Sequence, residues 1–162
     1  MQAMHKPTYL LSVLLMSASA AFAAPVVLEQ PLPNLTLQDQ HTQPWGVKAD
    51  TRLVVFAAGR KPSNVVMEVL GAQAKGFLES RQTVYVADMS RMPGFVTRTF
   101  ALPALRDQPF AVGVNLDDKQ LVDWPRQEDA ITLIRLEGGR VSSIAYVRTA
   151  AELKSALGIA TP

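Results

Sequence analysis

The chain has 162 residues, a formal charge of +2, 48% hydrophobic side chains and 19% charged ones, the profile of one globular domain and not of a disordered tail. Lys and Arg are scattered singly or in pairs, never interleaved with aromatics along a stripe, so the composition offers no groove for nucleic acid. There is no cysteine, which excludes disulfides, thiolate nucleophiles, thiol redox chemistry and Cys-ligated metals.

Residues 1–23 read as a cleavable leader. His5 and Lys6 give a weakly positive start, Tyr9 to Ala21 form an apolar core too short for a comfortable membrane span, and Ala21-Phe22-Ala23 is a small-x-small cleavage site. The expectation is export, no membrane span after cleavage, and a single domain over residues 24–162. An exported domain without cysteine must hold its core together by packing alone.

From Pro25 to Val47 the chain is proline-rich; Leu35 and Leu37 alternate as in a short edge strand, and Gln43-Pro44-Trp45 follows. Leu53 to Phe56 is a continuous apolar strand of the kind buried on both faces. It runs into Gly59-Arg60-Lys61-Pro62-Ser63-Asn64 and then into a helix with Val66, Leu70, Ala74 and Phe77 or Leu78 on one stripe, reaching toward Arg81. Gly71 and Gly76 weaken that helix by about 1 kcal/mol each relative to alanine. Thr83 to Asp88 is a second β-branched, aromatic strand, so the segment is a βαβ unit with a right-handed crossover.

Met92-Pro93-Gly94-Phe95 introduces a weakly marked helix up to Arg106, and Pro109 to Asp118 is a strand running into a turn. Ile131 to Leu136 and Val141 to Val147 are strands joined at Glu137-Gly138-Gly139-Arg140, where two glycines suit a turn with positive φ. Thr149 and Glu152 make an S/T-x-x-E capping box for a last helix that docks Leu153, Ala156 and Leu157 on the sheet.

This order gives an α/β fold: a mixed central sheet with flanking helices, ending in a β-hairpin plus helix. It matches thioredoxin topology, with the extra N-terminal segment and extra strand of the redoxin and peroxiredoxin branch. More specifically, the chain resembles the Cys-less periplasmic thioredoxin-like proteins of the enterobacterial YtfJ type. The matching pieces are Gln43-Pro44-Trp45, Ala58-Gly59-Arg60, Met92-Pro93-Gly94-Phe95, Trp124 and Gly139-Arg140-Val141. The resemblance covers nearly all of residues 24–162 and implies a fold and a periplasmic location far more than an activity.

In thioredoxins the Cys-x-x-Cys motif sits where a strand meets a helix N-terminus, because the helix dipole and free amides stabilise a thiolate. The resemblance puts Lys61-Pro62-Ser63-Asn64 at that place and Ile131 at the cis-proline position before the hairpin strand. With both hallmarks missing, redox catalysis is expected to be absent, and no cofactor or metal is expected.

The other candidates are read residue by residue. Ser63 is expected as the helix N-cap, since the only histidine outside the leader, His41, lies in an N-terminal loop and supplies no base. Asp88 ends a central strand on the ligand-bearing edge of the sheet, as a turn and cap residue or a ligand group. Asp117, Asp118, Asp123, Glu128 and Asp129 lack calcium-loop spacing and read as turns and solvated groups. Trp45 and Trp124 are packing residues or an exposed pair lining a cleft.

Arg60 and Lys61 place two cations beside a helix N-terminus, which is unfavourable unless they splay into water or hold an anion. Gly59, Arg60, Lys61, Ser63 and Asn64 thus form a candidate small-anion site of loop amides, helix dipole and guanidinium. Asp129 to Thr132, around Ile131, form a candidate edge on which an extended peptide pairs as an added strand. Two functional readings follow: a non-redox binding or accessory domain with a periplasmic protein, peptide or small anion as partner, and a non-thiol enzyme or binder acting on a small anionic ligand at Gly59 to Asn64. The first is preferred because no set of nucleophile, base and orienting group can be assembled.

Overall fold

A computed structural model describes residues 24–160; the expected leader lies outside them. The strands are β1 (Thr36–Asp39), β2 (Pro44–Gly46), β3 (Leu53–Ala58), β4 (Thr83–Asp88), β5 (Val112–Asn115), β6 (Ile131–Glu137) and β7 (Arg140–Val147). The helices are α1 (Arg60–Gly71), α2 (Phe77–Ser80), α3 (Gly94–Val96), a π-helical turn at Thr97–Ala101, α4 (Leu102–Arg106) and α5 (Ala150–Ala156). One seven-stranded sheet runs in the order β2-β1-β5-β4-β3-β6-β7.

The apolar run in β3 is there because both faces and both edges of the strand are covered. It pairs parallel with β4, Leu53 opposite Thr83 through Ala58 opposite Asp88, and antiparallel with β6, Ala57 opposite Ile131. Strands β3, β4 and β5 lie in chain order across the sheet and are mutually parallel, so two right-handed crossovers step the same way and bring their helices to one face. There Val55, Ala57, Tyr85 and Leu133 pack under Val66 and Leu70 of α1, Leu105 of α4 and Leu153 of α5. The opposite face, built on Val54, Phe56, Val86 and Ile134, is covered by Val26, Leu35, Leu121 and Trp124 from non-helical chain.

Two local expectations are corrected. The N-terminal strand is not an edge: β1 lies between β2 and β5, because Asp39 folds the chain back by accepting the His41 and Gln43 amides (2.8 and 2.9 Å) and β2 becomes the outer strand. Pro44, with no N–H to give, is tolerated there. The one helix expected to run toward Arg81, weakened at Gly71 and Gly76, is two: α1 stops at Gly71, and α2 restarts after Gly76, whose φ of +86° is left-handed. The tryptophans are packing residues, the first of the two readings, and not an exposed pair. Trp124 is buried edge-on against Phe56, 5.2 Å between centroids, and Trp45 lies over Gly113, where a Cβ would stand 2.5 Å from its ring.

The hairpin and last helix follow the expected pattern. Glu137 pairs with Arg140, and Gly138 and Gly139 take φ of +55° and +77°, as a two-residue turn matched to strand twist requires. The Thr149 hydroxyl accepts from the Glu152 amide at 3.2 Å, and Glu152 accepts from the Thr149 and Arg148 amides at 3.0 and 2.8 Å.

Candidate functional site: a methionine-lined groove at the β3–α1 junction

At the end of β3 the backbone passes through Gly59 at φ 93°, ψ 175°, a conformation open essentially to glycine alone. Helix α1 then begins at Arg60 with no side-chain cap. Ser63 is therefore not the N-cap: it stands inside the helix, where its amide and its hydroxyl both donate to the Gly59 carbonyl, at 3.4 and 2.7 Å. Pro62 can occupy the first turn because amides there have no helical partner.

Arg60, Ser63, Asn64 and Met67 recur at the spacing of one α1 face, and that face forms one wall of a groove of about 520 Å³. The facing wall comes from Met89 and Met92 in the β4–α3 connection, then Val96, Phe100 and Ala104 at every fourth residue. Met67, Met89 and Met92 are the only methionines among the described residues, and all three line this one space. Phe100 and its edge-on neighbour Phe95, 6.0 Å away, are 61% and 67% exposed. The π-helical turn carrying Phe100 is a rare feature that concentrates at functional sites.

The predicted residues divide into groups. Gly59 leads into the groove, and Arg60, Ser63 and Asn64 line it. Lys61 turns away and meets Asp129 at 2.5 Å in an exposed pair, of a kind that contributes little to stability. Arg60 has no ion-pair partner among the described residues. The two cations thus splay apart, and only Arg60 serves the groove.

Asp88 lies on the opposite face of the sheet. Its carboxylate accepts from the Ser90 amide (3.1 Å), the Asn115 side chain (3.0 Å) and the Arg126 guanidinium (3.0 Å). Burial by itself would raise this carboxyl, but the donations from Ser90, Arg126 and Asn115 together outweigh it and hold the group below the usual carboxylate range. Arg126 also donates to the Leu121 and Trp124 carbonyls and stacks 5.3 Å from the Phe56 ring centroid. The network pins the connection between β5 and β6.

Ile131 is fully buried and paired on both sides, to Ala57 and to Val147. The free edge expected over Asp129 to Thr132 is therefore not available at Ile131 and Thr132, which lie inside the sheet. Of the acidic set, Asp117 accepts the Lys119 amide at 2.9 Å as a turn residue and Asp129 meets Lys61.

Met67, Met89, Met92 and Phe100 were not legible as site residues. The apolar stripe of the sequence pointed to the core-facing side of α1, whereas the groove uses the neighbouring side. Behind the groove, Tyr85 is fully buried beneath α1 beside Ser63, and its hydroxyl has no hydrogen-bond partner among the described residues. Burial pushes that hydroxyl up to about 12, the Ser63 side chain offsetting only part.

No protein-family model and no curated protein sequence matches the chain. Solved structures do. A candidate DsbE-type thiol:disulfide interchange protein from Chlorobium tepidum superposes with a TM-score of 0.55 at 14% identity, covering 82% of this chain and 94% of its own. A candidate protein disulfide isomerase from Bacteroides thetaiotaomicron gives 0.52 at 10% identity over 85% and 89%. A candidate thioredoxin from Neisseria meningitidis gives 0.51 at 14% over 78% and 86%. The fold is thioredoxin-like. At such identities the likeness concerns the fold, and activity has to be argued from the site.

Proposed function

We propose that this protein is an exported, non-redox thioredoxin-like binding domain of the Cys-less YtfJ type, and that its ligand seat is the groove between α1 and the β4–α4 connection. One observation carries the reading: an exposed, methionine-lined apolar space with, among the described residues, a single guanidinium at its rim that has no ion-pair partner. Unbranched, polarisable methionines form adaptable binding surfaces, and an apolar pocket with few polar groups is the usual form of a small-ligand site. A non-thiol enzyme is the weaker alternative. Ser63 spends its hydroxyl hydrogen bond on the Gly59 carbonyl, and His41, in the β1–β2 turn, does not line the groove.

A screen of small apolar compounds, neutral and charged, read by amide chemical shifts tests the proposal. Saturable shifts should cluster on Arg60 to Met67 and Met89 to Ala104. Hits that map only to other surfaces, or insulin reduction by the purified protein, would count against it. Mass spectrometry of protein recovered from the periplasm should give an N-terminus at Ala24; an intact Met1 would contradict export by a cleaved leader.

A further inference from the structure

We propose that the groove takes a single-chain amphiphile with a carboxylate head, the acyl chain lying on Met67, Met89, Met92 and Phe100 and the head meeting Arg60 at the rim. The inference rests on reading the groove as a ligand seat and adds the chemical class of the ligand.

The polarity of the groove is one-sided. The wall from the β4–α4 connection is methionine, valine, alanine and phenylalanine, while on the α1 side Arg60, Ser63 and Asn64 gather at the helix N-terminus, ahead of Met67. A ligand that satisfies both parts needs an apolar body and one anionic end. Arg60 offers a planar fork that matches a carboxylate through two parallel hydrogen bonds, and the positive end of the α1 dipole favours the same sign of charge. A single charge suffices, because Lys61 is engaged by Asp129 and Arg60 is, among the described residues, the one cation lining the groove.

A peptide fits less well. The walls are helices and a connection in which the Met89 and Met92 amides are already used: Met89 donates to the Asn115 carbonyl at 2.9 Å and Met92 to the Met89 carbonyl at 3.0 Å. Among the described residues no strand edge lines the space, so an extended backbone would lose its hydrogen bonds to water without replacement. An acyl chain has none to lose. Its flexibility also suits three methionines that can repack around it.

Calorimetric titration tests this with decanoate, decanol and acetate as probes, below their aggregation limits, on the parent protein, Arg60→Ala and Phe100→Ala. The parent should bind decanoate at least about tenfold more tightly than decanol, the size of effect expected for a hydrogen-bonded charge. Arg60→Ala should abolish that difference by weakening decanoate alone. Phe100→Ala, at an exposed position, should weaken both chains severalfold with an unchanged unfolding midpoint. Equal binding of decanol and decanoate, unaffected by Arg60→Ala, would overturn the carboxylate head and leave the groove as an apolar seat. Acetate binding as tightly as decanoate would overturn the acyl chain and leave a bare anion site. Binding of neither chain would remove both the ligand class and the groove as a seat for apolar compounds. Sedimentation run alongside covers the remaining occupant: a dimer lost in Phe100→Ala and unaffected by decanoate would place a second copy on this face, contradicting the proposal.

Discussion

At the residue scale, the chemistry of single groups separates what builds the domain from what serves the groove. Asp88 belongs to the first kind. Because folding lowers its pKa, the stabilisation it contributes is present above its unfolded value of about 4 and is lost as pH falls toward the folded value. Asp88→Asn should cost about 2–3 kcal/mol at neutral pH, as it leaves the partly exposed Arg126 without its carboxylate. Denaturant titrations at pH 7 and pH 3 should show the parent losing stability in acid and the variant losing less; equal acid sensitivity would remove Asp88 from the account. At the β3–α1 junction the expected order of effects is also specific. Gly59→Ala forces a side chain into a glycine-only conformation and should cost about 1–3 kcal/mol, whereas Ser63→Ala removes only a bond back to the preceding turn and should cost under about 1 kcal/mol. The reverse order in thermal melts would restore Ser63 as the cap. Ser is a preferred cap by type, but the backbone at Gly59 starts the helix four residues earlier than the side-chain chemistry suggests.

At the scale of elements, legibility followed how local the determinants are. The capping box, the Gly138-Gly139 turn and strands β3 and β4 depend on neighbours a few residues apart or on unbroken apolar runs, and they stand as the sequence predicts. The place of β1 inside the sheet depends on β2 folding back across it and leaves no periodic signal, whereas the break of α1 is marked only by Gly71 and Gly76, which lower helix propensity without fixing where the helix stops. The contact between Trp45 and Gly113 is of this long-range kind. A methyl group at Gly113 would meet the indole ring, so Gly113→Ala should destabilise by about 1–3 kcal/mol. In a Trp45→Ala background the same change should cost markedly less, which unfolding of the two single variants and the double variant would reveal. Equal cost in both backgrounds would mean that the ring does not set the close approach of β2 to β5.

At the scale of the whole molecule, the thioredoxin-like fold has been kept without the thiols that its structural neighbours are named for. The arrangement follows from connectivity. Parallel strands β3 and β4 end beside each other, α1 and the β4–α4 connection leave toward the same face, and the space between them opens at a helix N-terminus. That junction was legible in the sequence through Gly59 and Arg60, while its apolar wall was not, because Met92 and Phe100 are brought there by an irregular connection with a π-helical turn. The measurement that bears most directly on the central claim uses protein labelled at the methionine methyl groups. Every methionine of the described residues lines the groove, so decanoate at saturating concentration should shift the Met67, Met89 and Met92 signals together, with one shared affinity that weakens in Arg60→Ala. Binding of decanoate with all three methyl signals unmoved would contradict the account.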